Sequence, residues 1–285
     1  MKERLTRLQP CFQKQDPPTK RCIRAFQKSI YEFYETQGRD LPWRQTTDPY
    51  AILVSEIMLQ QTQVDRVIEP YNRFLSKFPD PKSLARSPTE EVIKYWQGLG
   101  YNRRALNLKK AAVMMAEDGI PSDEQGLTRL PGIGPYTASA VTVFAFNKPA
   151  IVIETNIRSI FIFLTFPDRE KVLDKEIQLY IDSTMDRENP RRWFNALMDA
   201  GASLKRQIGN PSRASASYQK QSPFEGSDRQ IRGYILRELA KRGTVEEDTI
   251  ATGIGKDTRK VRHIINRLEK EGFLSRFGRS VRLSD

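Results

Sequence analysis

Histidine and cysteine are both scarce in this chain of 285 residues. The single histidine, His263, stands near the C-terminus, so acid–base chemistry elsewhere must come from carboxylates, tyrosines or lysines. The two cysteines, Cys11 and Cys22, are too few for a disulfide framework or a four-thiolate metal site, and both precede the expected folded part. A reduced cytoplasm is therefore the expected location.

Long apolar runs are also absent. No run reaches the roughly 20 residues that a membrane span needs, and no secretory signal pattern opens the chain. Positive charge is plentiful, since 47 Lys and Arg residues against 35 Asp and Glu residues give a formal net charge of +12. This surplus favours a polyanionic partner, nucleic acid first and an anionic membrane surface second.

Helical patterns cover most of the chain, and strand patterns are confined to its end. Residues 1–20 are polar and basic, end in Pro17-Pro18 and are expected to form a mobile tail. A polar stretch without periodicity, residues 207–226, follows the long helical part, and the C-terminal domain is expected to begin within it, at residue 223. The sequence therefore predicts an all-α protein with a small separate C-terminal domain.

Residues 223–285 show a helix, a short helix over 245–252, a glycine turn, a basic helix and a two-stranded hairpin around Gly278. This order is typical of a winged helix-turn-helix module, which docks on DNA or on proteins. The candidates for DNA contact on its basic helix are Lys256, Arg259, Lys260 and Arg262.

The segment LPGIG, residues 130–134, is the local signal around which the rest is organised. Gly132 and Gly134 flank one isoleucine, so the turn can adopt positive φ and a ligand can approach its backbone closely. The following helix, expected to begin near Tyr136, points unpaired N–H groups at the turn, which suits a DNA phosphate. An ordinary helix–loop–helix with a C-cap glycine would give the same pattern.

Two carboxylates stand out because each lies in an apolar run. Glu56 interrupts the helical pattern PYAILVSEIMLQQTQ, and Glu154 follows IVI at the start of another helix. A carboxylate within such a helix is either on a solvent face or held in a cleft, where burial would raise its pKa.

The segment GLGYNRRALNLKK places an aromatic residue after a glycine turn and four basic residues after the aromatic. Tyr101 beside Arg103 and Arg104 suits base stacking combined with phosphate neutralisation. A basic, solvated helix start is the alternative.

Taken in order and spacing, six segments resemble the helix-hairpin-helix DNA glycosylases, and within them the adenine-specific mismatch glycosylases. They are LPWR, SEIMLQQTQV, WQGLGYNRRALNL, LPGIGPYTASA, ETNIRS and ALMDAG, between Leu41 and Gly201. The resemblance implies a two-lobed helical fold over 21–222. Its barrel lobe would span about 49–148, and its terminal lobe 21–48 plus 149–222.

The resemblance also implies catalytic roles. Glu56 stands where the family has its general acid, which protonates the departing adenine. Glu154 stands where the family has an aspartate that stabilises the cationic sugar, and Asn156 would help to hold it in its ionised form. Tyr136 stands where bifunctional relatives have a Schiff-base lysine, and a phenol cannot form an imine, so a monofunctional glycosylase is implied.

Further residues are implied for the base pocket and the DNA. Trp43, Arg44 and Leu59 would line the pocket for the flipped base. Gln60, Gln61 and Thr62 would contact DNA, and Gln61 together with Tyr101 would wedge into the opened base stack.

Three departures from the family pattern limit the resemblance. The four cysteines that hold an iron–sulfur cluster in most relatives are replaced by Lys205, Ser212, Ser215 and Gln221, so no cluster is expected. Glu154 is one methylene longer than the family aspartate. The family's C-terminal domain that checks for oxidised guanine is absent, and the winged module stands in its place.

The expected function is therefore hydrolysis of the N-glycosidic bond of adenine mispaired with guanine or 8-oxoguanine. Two alternatives are a glycosylase for mismatched thymine, uracil or hypoxanthine, and a catalytically weak DNA-binding protein. Double-stranded DNA with a mismatch or damaged base is the expected partner of a monomer associated with a prokaryotic nucleoid. No cofactor is expected beyond a monovalent cation on the hairpin carbonyls.

Overall fold

The computed structural model describes residues 1–13, 17–220 and 223–284, and the predicted all-α class is confirmed. The helices begin with α1 (Lys2–Thr6), α2 (Gln9–Gln13), α3 (Lys20–Gln37), α4 (Pro49–Leu59), α5 (Ile68–Lys77), α6 (Pro81–Arg86), α7 (Thr89–Tyr95) and α8 (Arg103–Asp118). They continue with α9 (Glu124–Thr128), α10 (Pro135–Phe146), α11 (Thr155–Thr165), α12 (Asp174–Thr184), α13 (Pro190–Ile208), α14 (Asp228–Arg242), α15 (Glu247–Ile254) and α16 (Thr258–Lys270). The strands are β1 (Val245–Glu246), β2 (Leu274–Phe277) and β3 (Ser280–Leu283).

The chain divides into two compact units, each built from two separate stretches. The first unit comprises Met1–Thr47 and Pro135–Lys220, and the second comprises Asp48–Gly134 and Gln221–Asp285. The expected barrel lobe extended to residue 148, whereas this division places α10 in the first unit. The C-terminal module belongs to the second unit.

An aromatic cluster around Phe26 of α3 forms the core of the first unit. The ring of Phe26 meets those of Phe12, Phe161 and Trp193 edge to face, with centroids 5.3 to 5.8 Å apart. All four side chains are buried. Because these residues come from α2, α3, α11 and α13, the cluster fixes α11 and α13, which carry much of the candidate site.

The N-terminal residues differ from the predicted mobile tail. They form α1 and α2, in which Leu5 and Phe12 are buried, and Gln9 Nε2 donates to the Phe163 carbonyl at 2.8 Å. The expectation of a mobile tail over 1–20 is wrong for these helices, because two apolar residues in a basic segment suffice to anchor it. Cys11 and Cys22 are joined by a disulfide that links α2 to α3, so the expectation that they lie outside the folded part is also wrong.

The second unit has its own aromatic core, in which Phe74 packs against Phe78 and Trp96. Its helix α4 begins where Asp48 accepts a hydrogen bond from the Tyr50 amide and Pro49 occupies the first helical position. The helix is buried from Tyr50 to Met58 and therefore has no polar face.

The C-terminal module consists of α14, β1, α15, α16 and the β2–β3 hairpin, in the order predicted for a winged helix-turn-helix. Its antiparallel sheet has the strand order β1-β3-β2, with Val245 opposite Val281 and Leu274 opposite Leu283. The predicted short helix over 245–252 is instead a two-residue strand followed by α15. Helix α14 packs against α7, so this module shares contacts with the rest of the second unit.

Within the described residues, no helix combines the length and the apolar character that crossing a membrane requires.

Candidate active site and DNA-binding surfaces

Glu56 lies in the middle of α4 and only 7% of its surface is exposed. The residues on both sides of it in the helix are buried as well. A solvated glutamate on an outer helix face, which the pattern left open, is therefore excluded. An acid enclosed in an apolar helix is placed to give up a proton to a bound group rather than to bulk water.

The backbone turns sharply where α4 ends. Gln60 is the C-cap of α4, and Gln61 has a φ of 55° and is exposed. Non-glycine residues seldom adopt positive φ and do so where the surroundings hold them. The Thr62 amide donates to the Leu59 carbonyl at 3.1 Å and closes the turn. The backbone thus presents Gln61 at the surface, while Leu59 stays half-buried at the end of α4.

Arg104 is buried, and the predicted phosphate contact for it is wrong. Its guanidinium donates at 2.7 to 3.2 Å to the carbonyls of Ile57, Met58, Gln60, Leu99 and Gly100 and to the Thr62 hydroxyl. These are the last carbonyls of α4 and those of the loop before α8, and no helix bond satisfies them. Burial lowers the pKa of Arg104 to about 10. The residue therefore joins the loop to α4, whereas its neighbour Arg103 is exposed.

Tyr101 occupies a tightly fixed loop. Its φ is 45°, and the preceding Gly98 and Gly100 have φ values of 88° and 68°. Trp96 Nε1 donates to the Gly100 carbonyl at 3.2 Å, and the Arg104 guanidinium lies 5.6 Å from the centre of the Tyr101 ring. Like Gln61, this predicted wedge residue is held in the left-handed region by its surroundings.

The difference between Arg104 and Arg103 gives a testable pair. We expect Arg104→Lys to lower the free energy of unfolding by at least about 2 kcal/mol, because a lysine leaves several buried carbonyls without donors. We expect Arg103→Lys to leave the melting temperature unchanged. Thermal unfolding of both variants checks this, and equal melting temperatures would contradict the role given to Arg104.

The hairpin Leu130–Gly134 is anchored by two buried residues, Leu130 and Ile133, and the Ile133 amide donates to the Leu130 carbonyl at 3.2 Å. Gly132 has a φ of 79°, and a Cβ there would come within 2.6 Å of the Cβ of Asn107. A Cβ at Gly134 would meet no atom within 4 Å. Only the first glycine is thus required by the protein itself. Helix α10 then begins at Pro135, one residue earlier than predicted.

Substitutions at Gly132 and Gly134 distinguish an effect on stability from an effect on DNA affinity. We expect Gly134→Val to keep the wild-type melting temperature but to weaken binding to all duplexes alike, because its side chain would fill space meant for the DNA backbone. Gly132→Ala is the matched change that costs stability, about 1–3 kcal/mol, through positive φ and contact with Asn107. Fluorescence anisotropy and thermal unfolding test both. A changed base preference with unaltered affinity in Gly134→Val would refute the phosphate assignment.

Glu154 is the N-cap of α11. Its Oε1 accepts from the Asn156 amide at 2.8 Å and the Ile157 amide at 2.9 Å, and its Oε2 accepts from Asn156 Nδ2 at 3.1 Å. N-caps are usually shorter residues. Here the extra methylene is taken up because the side chain folds back on its own helix, which leaves Oε2 as the oxygen directed away from the backbone amides.

Opposing effects act on the pKa of Glu154. Burial raises its pKa, and the opposing effects are the Asn156 and Ile157 amides and the positive charges of Lys205 and Arg158. The residue as a whole keeps intermediate exposure, yet its carboxylate lies among protein atoms. Desolvation outweighs these effects, so the pKa of Glu154 lies above its usual value, and the amides and the two cations limit the rise.

Arg44 takes part in a buried ion pair. Its Nη1 and Nη2 donate to the two carboxylate oxygens of Asp199 at 2.8 and 2.9 Å, and its side chain is only 8% exposed. Although burial raises the pKa of Asp199, Arg44 and Arg39 hold it below its usual value. The ion pair fixes the Arg44 guanidinium against α13, and the predicted place of Arg44 in the base pocket stays a prediction.

Trp43 and Tyr136, the other site residues of the first unit, differ in exposure. Trp43 is 9% exposed, and Tyr136, in the first turn of α10, is 37% exposed. Tyr136 therefore reaches the surface of the first unit, and its proposed place beside the reacting sugar stays a prediction.

The residues that replace the four cysteines make polar contacts of their own. Lys205 Nζ donates to Asn156 Oδ1 at 3.2 Å, and Ser212 Oγ donates to Asn210 Oδ1 at 2.7 Å. The Ser215 hydroxyl accepts from the Ser217 amide at 3.2 Å. Gln221 lies outside the described residues. An ammonium group and two hydroxyls do not supply the thiolates that an iron–sulfur cluster needs, so these side chains do not fit the group.

Two of the four basic candidates of the C-terminal module take part in ion pairs within it. Lys260 approaches Asp228 at 3.6 Å, and Arg262 contacts Glu247 at 3.2 Å and Asp248 at 3.1 Å. The pairs with Asp228 and Asp248 are exposed and therefore weak, so they can exchange for a phosphate, whereas Glu247 is buried. Lys256 and Arg259 lie near the N-terminus of α16, which the acidic N-cap Asp257 occupies.

Comparisons with known proteins identify the family of this chain. Residues 54–181 match the model of the HhH-GPD superfamily base excision DNA repair proteins. The adenine DNA glycosylase of Mycobacterium tuberculosis (strain ATCC 25618 / H37Rv) is 32% identical over 235 residues, which cover 74% of this chain and 77% of that protein. The chain belongs to this superfamily. Its branch is that of the adenine DNA glycosylases, and its enzyme class is DNA glycosylase, as predicted.

Other relatives match a smaller share of either chain or match in structure. The adenine DNA glycosylase of Buchnera aphidicola subsp. Baizongia pistaciae is 36% identical over 183 residues, so the chain spans about half, 52%, of that relative's length. A thermostable thymine-DNA glycosylase is similar in structure, with a TM-score of 0.56 and 29% identity over 63% of this chain and 86% of that one. Endonuclease III in a non-covalent DNA complex has a TM-score of 0.54 and 21% identity over 63% of this chain and 84% of that one, and it shows the shared fold.

Sequence reasoning missed two residues that hold the candidate site. Asp199 binds both Arg39 and Arg44, and Arg229 of α14 donates to the Tyr101 hydroxyl at 2.5 Å. The carboxylate within the apolar run ALMDAG was a usable signal for the first. Nothing in the sequence of α14 indicated the second.

Proposed function

We propose that this protein is a monofunctional DNA glycosylase that releases adenine mispaired with guanine or 8-oxoguanine. The observation that carries the proposal is the burial of Glu56 in α4, the helix that ends directly before the QQT segment. The buried carboxyl group of Glu56 lies in an otherwise largely apolar helix and stands at the family's position for the general acid. The M. tuberculosis relative carries the name adenine DNA glycosylase, which supports adenine as the base.

In this mechanism Glu56 gives its proton to the adenine ring as the N-glycosidic bond breaks, and the bonding electron pair leaves with the base. The sugar becomes cationic, and Glu154 stabilises it through Oε2. Water then adds to the sugar carbon and loses a proton, which leaves an abasic site and free adenine. Trp43 and Leu59 are proposed to line the base pocket, and Tyr136 replaces the lysine that would attack the sugar in bifunctional relatives.

The amides between Gly132 and Tyr136 are proposed to hold a phosphate beside the flipped nucleotide, with a monovalent cation on the hairpin carbonyls. Gln60, Gln61 and Thr62 meet the DNA at the opened step, with Tyr101 as a second wedge. Lys256, Arg259, Lys260 and Arg262 add sequence-independent affinity. The protein acts as a monomer in the cytoplasm.

A panel of duplexes tests the function. Each carries one labelled mispair, A·G, A·8-oxoguanine, T·G, U·G or hypoxanthine·T, and abasic sites are scored after alkaline cleavage. Release from the two adenine mispairs alone supports the proposal. Release from T·G instead would favour the second candidate, for which the 29% identical thymine-DNA glycosylase is the supporting observation. Binding without release from any duplex would leave a DNA-binding protein.

The protein is also proposed to work without an iron–sulfur cluster, because the side chains at Lys205, Ser212 and Ser215 are engaged in hydrogen bonds of their own. We expect protein purified without oxygen to be colourless, to contain no stoichiometric iron and to keep its melting temperature and its excision rate in the presence of an iron chelator. A visible absorption band together with stoichiometric iron would contradict this.

A further inference from the structure

A groove of about 750 Å³ lies within the second unit, between the Tyr101 loop and α14. Its lining includes both predicted wedge residues, Gln61 and Tyr101. Among the described residues that line it, six are arginines and one, Glu271, carries a carboxylate. Phe224, 61% exposed, stands just before α14 at the groove. Basic walls with accessible aromatic rings are the composition of surfaces that bind unpaired nucleotides.

The arginines of the groove are not equivalent. Arg104 is occupied by carbonyls, and Arg232 is paired with Glu271 at 2.6 Å. Arg229 has another arrangement, since its guanidinium lies 5.4 Å from the centre of the Tyr101 ring and donates to the hydroxyl of that residue. The C-terminal module thus places a cation directly on the residue proposed to enter the base stack. If Tyr101 enters the DNA, Arg229 comes within reach of the adjacent backbone.

We infer that this groove binds the DNA strand opposite the excised base, with Arg229 on a phosphate and Phe224 stacked on an unpaired base. The hairpin is the proposed phosphate site of the strand that loses its base, and it contacts α8 at Asn107. The groove lies about one turn away along the same helix, at residues 101–104, and is left for the other strand. The choice of strand rests on the proposed function, whereas the choice of DNA as the occupant rests on the positive charge of the groove.

Three variants test the groove by binding to a duplex with a non-hydrolysable adenine analogue opposite 8-oxoguanine. Arg229→Gln should lower the slope of log Kd against log salt concentration by about 1. Gly233→Leu should weaken binding to this duplex about tenfold without any change of charge, because a Cβ at Gly233 meets nothing within 4 Å and a longer side chain fills the groove. Arg237→Gln, on the same helix but outside the groove lining, is the control.

The strand is identified by a photoreactive benzophenone side chain at position 224. Crosslinks to the strand that carries 8-oxoguanine support the inference, and crosslinks confined to the adenine strand overturn it. Wild-type affinity and salt slope in both Arg229→Gln and Gly233→Leu would also overturn it and would indicate a protein as the partner of this groove. If the protein releases no base from any duplex, the proposed function is refuted. If these variants still lose affinity in that case, the groove is still a DNA-binding site.

A second observation concerns Lys205 in the first unit, at the first of the four places that hold cysteines in most relatives. Gly201 precedes it by one helical turn, and a Cβ there would overlap the backbone oxygen of Asn156. The glycine lets α13 approach the N-terminus of α11 so closely that Lys205 Nζ reaches Asn156 Oδ1. Because an ammonium group only donates, it fixes the Asn156 amide with its nitrogen directed at Glu154.

We propose that Lys205 is a positioning residue that acts on the reaction through Asn156 and Glu154. Its charge and the orientation that it imposes on Asn156 both favour the ionised carboxylate. The other charged group facing Glu154 is Arg158, which is held by Asp174 in a bidentate pair at 2.8 and 2.7 Å. Within the described residues, Lys205 thus forms no ion pair with a carboxylate other than its electrostatic interaction with Glu154. It stands where most relatives have a metal ligand, and here it supports catalysis instead.

Lys205→Met should lower the single-turnover excision rate about 10–100-fold, a loss typical of removed supporting contacts, with Kd unchanged. The acidic limb of its pH profile should move to higher pH, because Glu154 loses a nearby cation. Lys205→Arg should recover most of the rate, and Lys175→Met, an exposed change on α12, is the control. An unaltered rate and pH profile would overturn the proposal.

If Lys205→Met lowers the melting temperature, the same change is made in the Glu154→Gln background. A smaller loss of melting temperature there supports coupling to the carboxylate, and an equal loss assigns Lys205 a purely structural role. If the wild-type protein releases no base, the proposed function is refuted. The coupling between Lys205 and Glu154 can still be measured by thermal unfolding in that case.

Discussion

Glu56→Gln is expected to lower the single-turnover rate of adenine release by about 10²–10⁴-fold, the contribution of a general acid. The amide fills the same volume as the carboxyl group but cannot supply the proton that makes adenine a good leaving group. Binding to a duplex with a non-hydrolysable adenine analogue should stay within about twofold, a free-energy change well under 1 kcal/mol. Quench-flow kinetics and anisotropy measure the two quantities.

The control for this change is Glu69→Gln, which removes an exposed carboxylate from an i,i+4 pair with Arg73 on α5. It should excise adenine at the wild-type rate. Because Glu56 lies in a buried helix, its variant must also be shown to keep the wild-type melting temperature. Rapid excision by a folded Glu56→Gln protein would remove Glu56 from the mechanism.

Glu154→Gln is expected to slow excision by about 10²–10³-fold, the usual loss when one group that stabilises transition-state charge is removed. Glu154→Asp is the more informative change. An aspartate caps helices well, so α11 should keep its stability, but the carboxylate would withdraw from the position that Oε2 holds beside Asn156 Nδ2. A misplacement of about 1 Å can cost up to about 10²-fold, so this variant should also be slower.

The pH dependence follows from the direction of the pKa shift. Glu154 acts as an anion, and burial raises its pKa, so the rate should fall as the pH drops through a value above the ordinary range of glutamates. Glu154→Gln should lose this acidic limb. A marked rise of activity in Glu154→Asp would show that the native residue is a handicap for adenine release and that another base is the substrate. Full activity in Glu154→Gln would exclude the carboxylate from the reaction.

Local patterns in the sequence predicted most of the helices, and they singled out Glu56 and Glu154, whose catalytic roles stay predictions. The predicted helix over 155–165 is α11, and a single carboxylate in an apolar helix was enough to single out Glu56. Such features depend on neighbours in the chain, whose periodicity and capping are visible in the sequence. The C-terminal helices and the β2–β3 hairpin were predicted for the same reason.

The contacts that the sequence did not indicate join residues that are distant in the chain. Arg44 meets Asp199, 155 residues away, and Arg229 meets Tyr101, 128 residues away. A basic residue after a glycine turn looks the same whether it faces a phosphate or, like Arg104, a set of carbonyls. Only the fold decides which acceptor is nearer, so the local pattern assigned Arg104 to the DNA together with Arg103.

The division of the second unit between two distant stretches has a consequence for biosynthesis. Residues 48–134 leave the ribosome well before α14, which covers α7 in the finished protein. At about 5–20 residues per second, several seconds pass in which that face of α7 has no cover. The groove beside Tyr101 has no second wall in that interval. An unfinished chain therefore lacks a complete DNA-binding surface, and the newly made protein is expected to gain tight DNA affinity only once translation has passed α14.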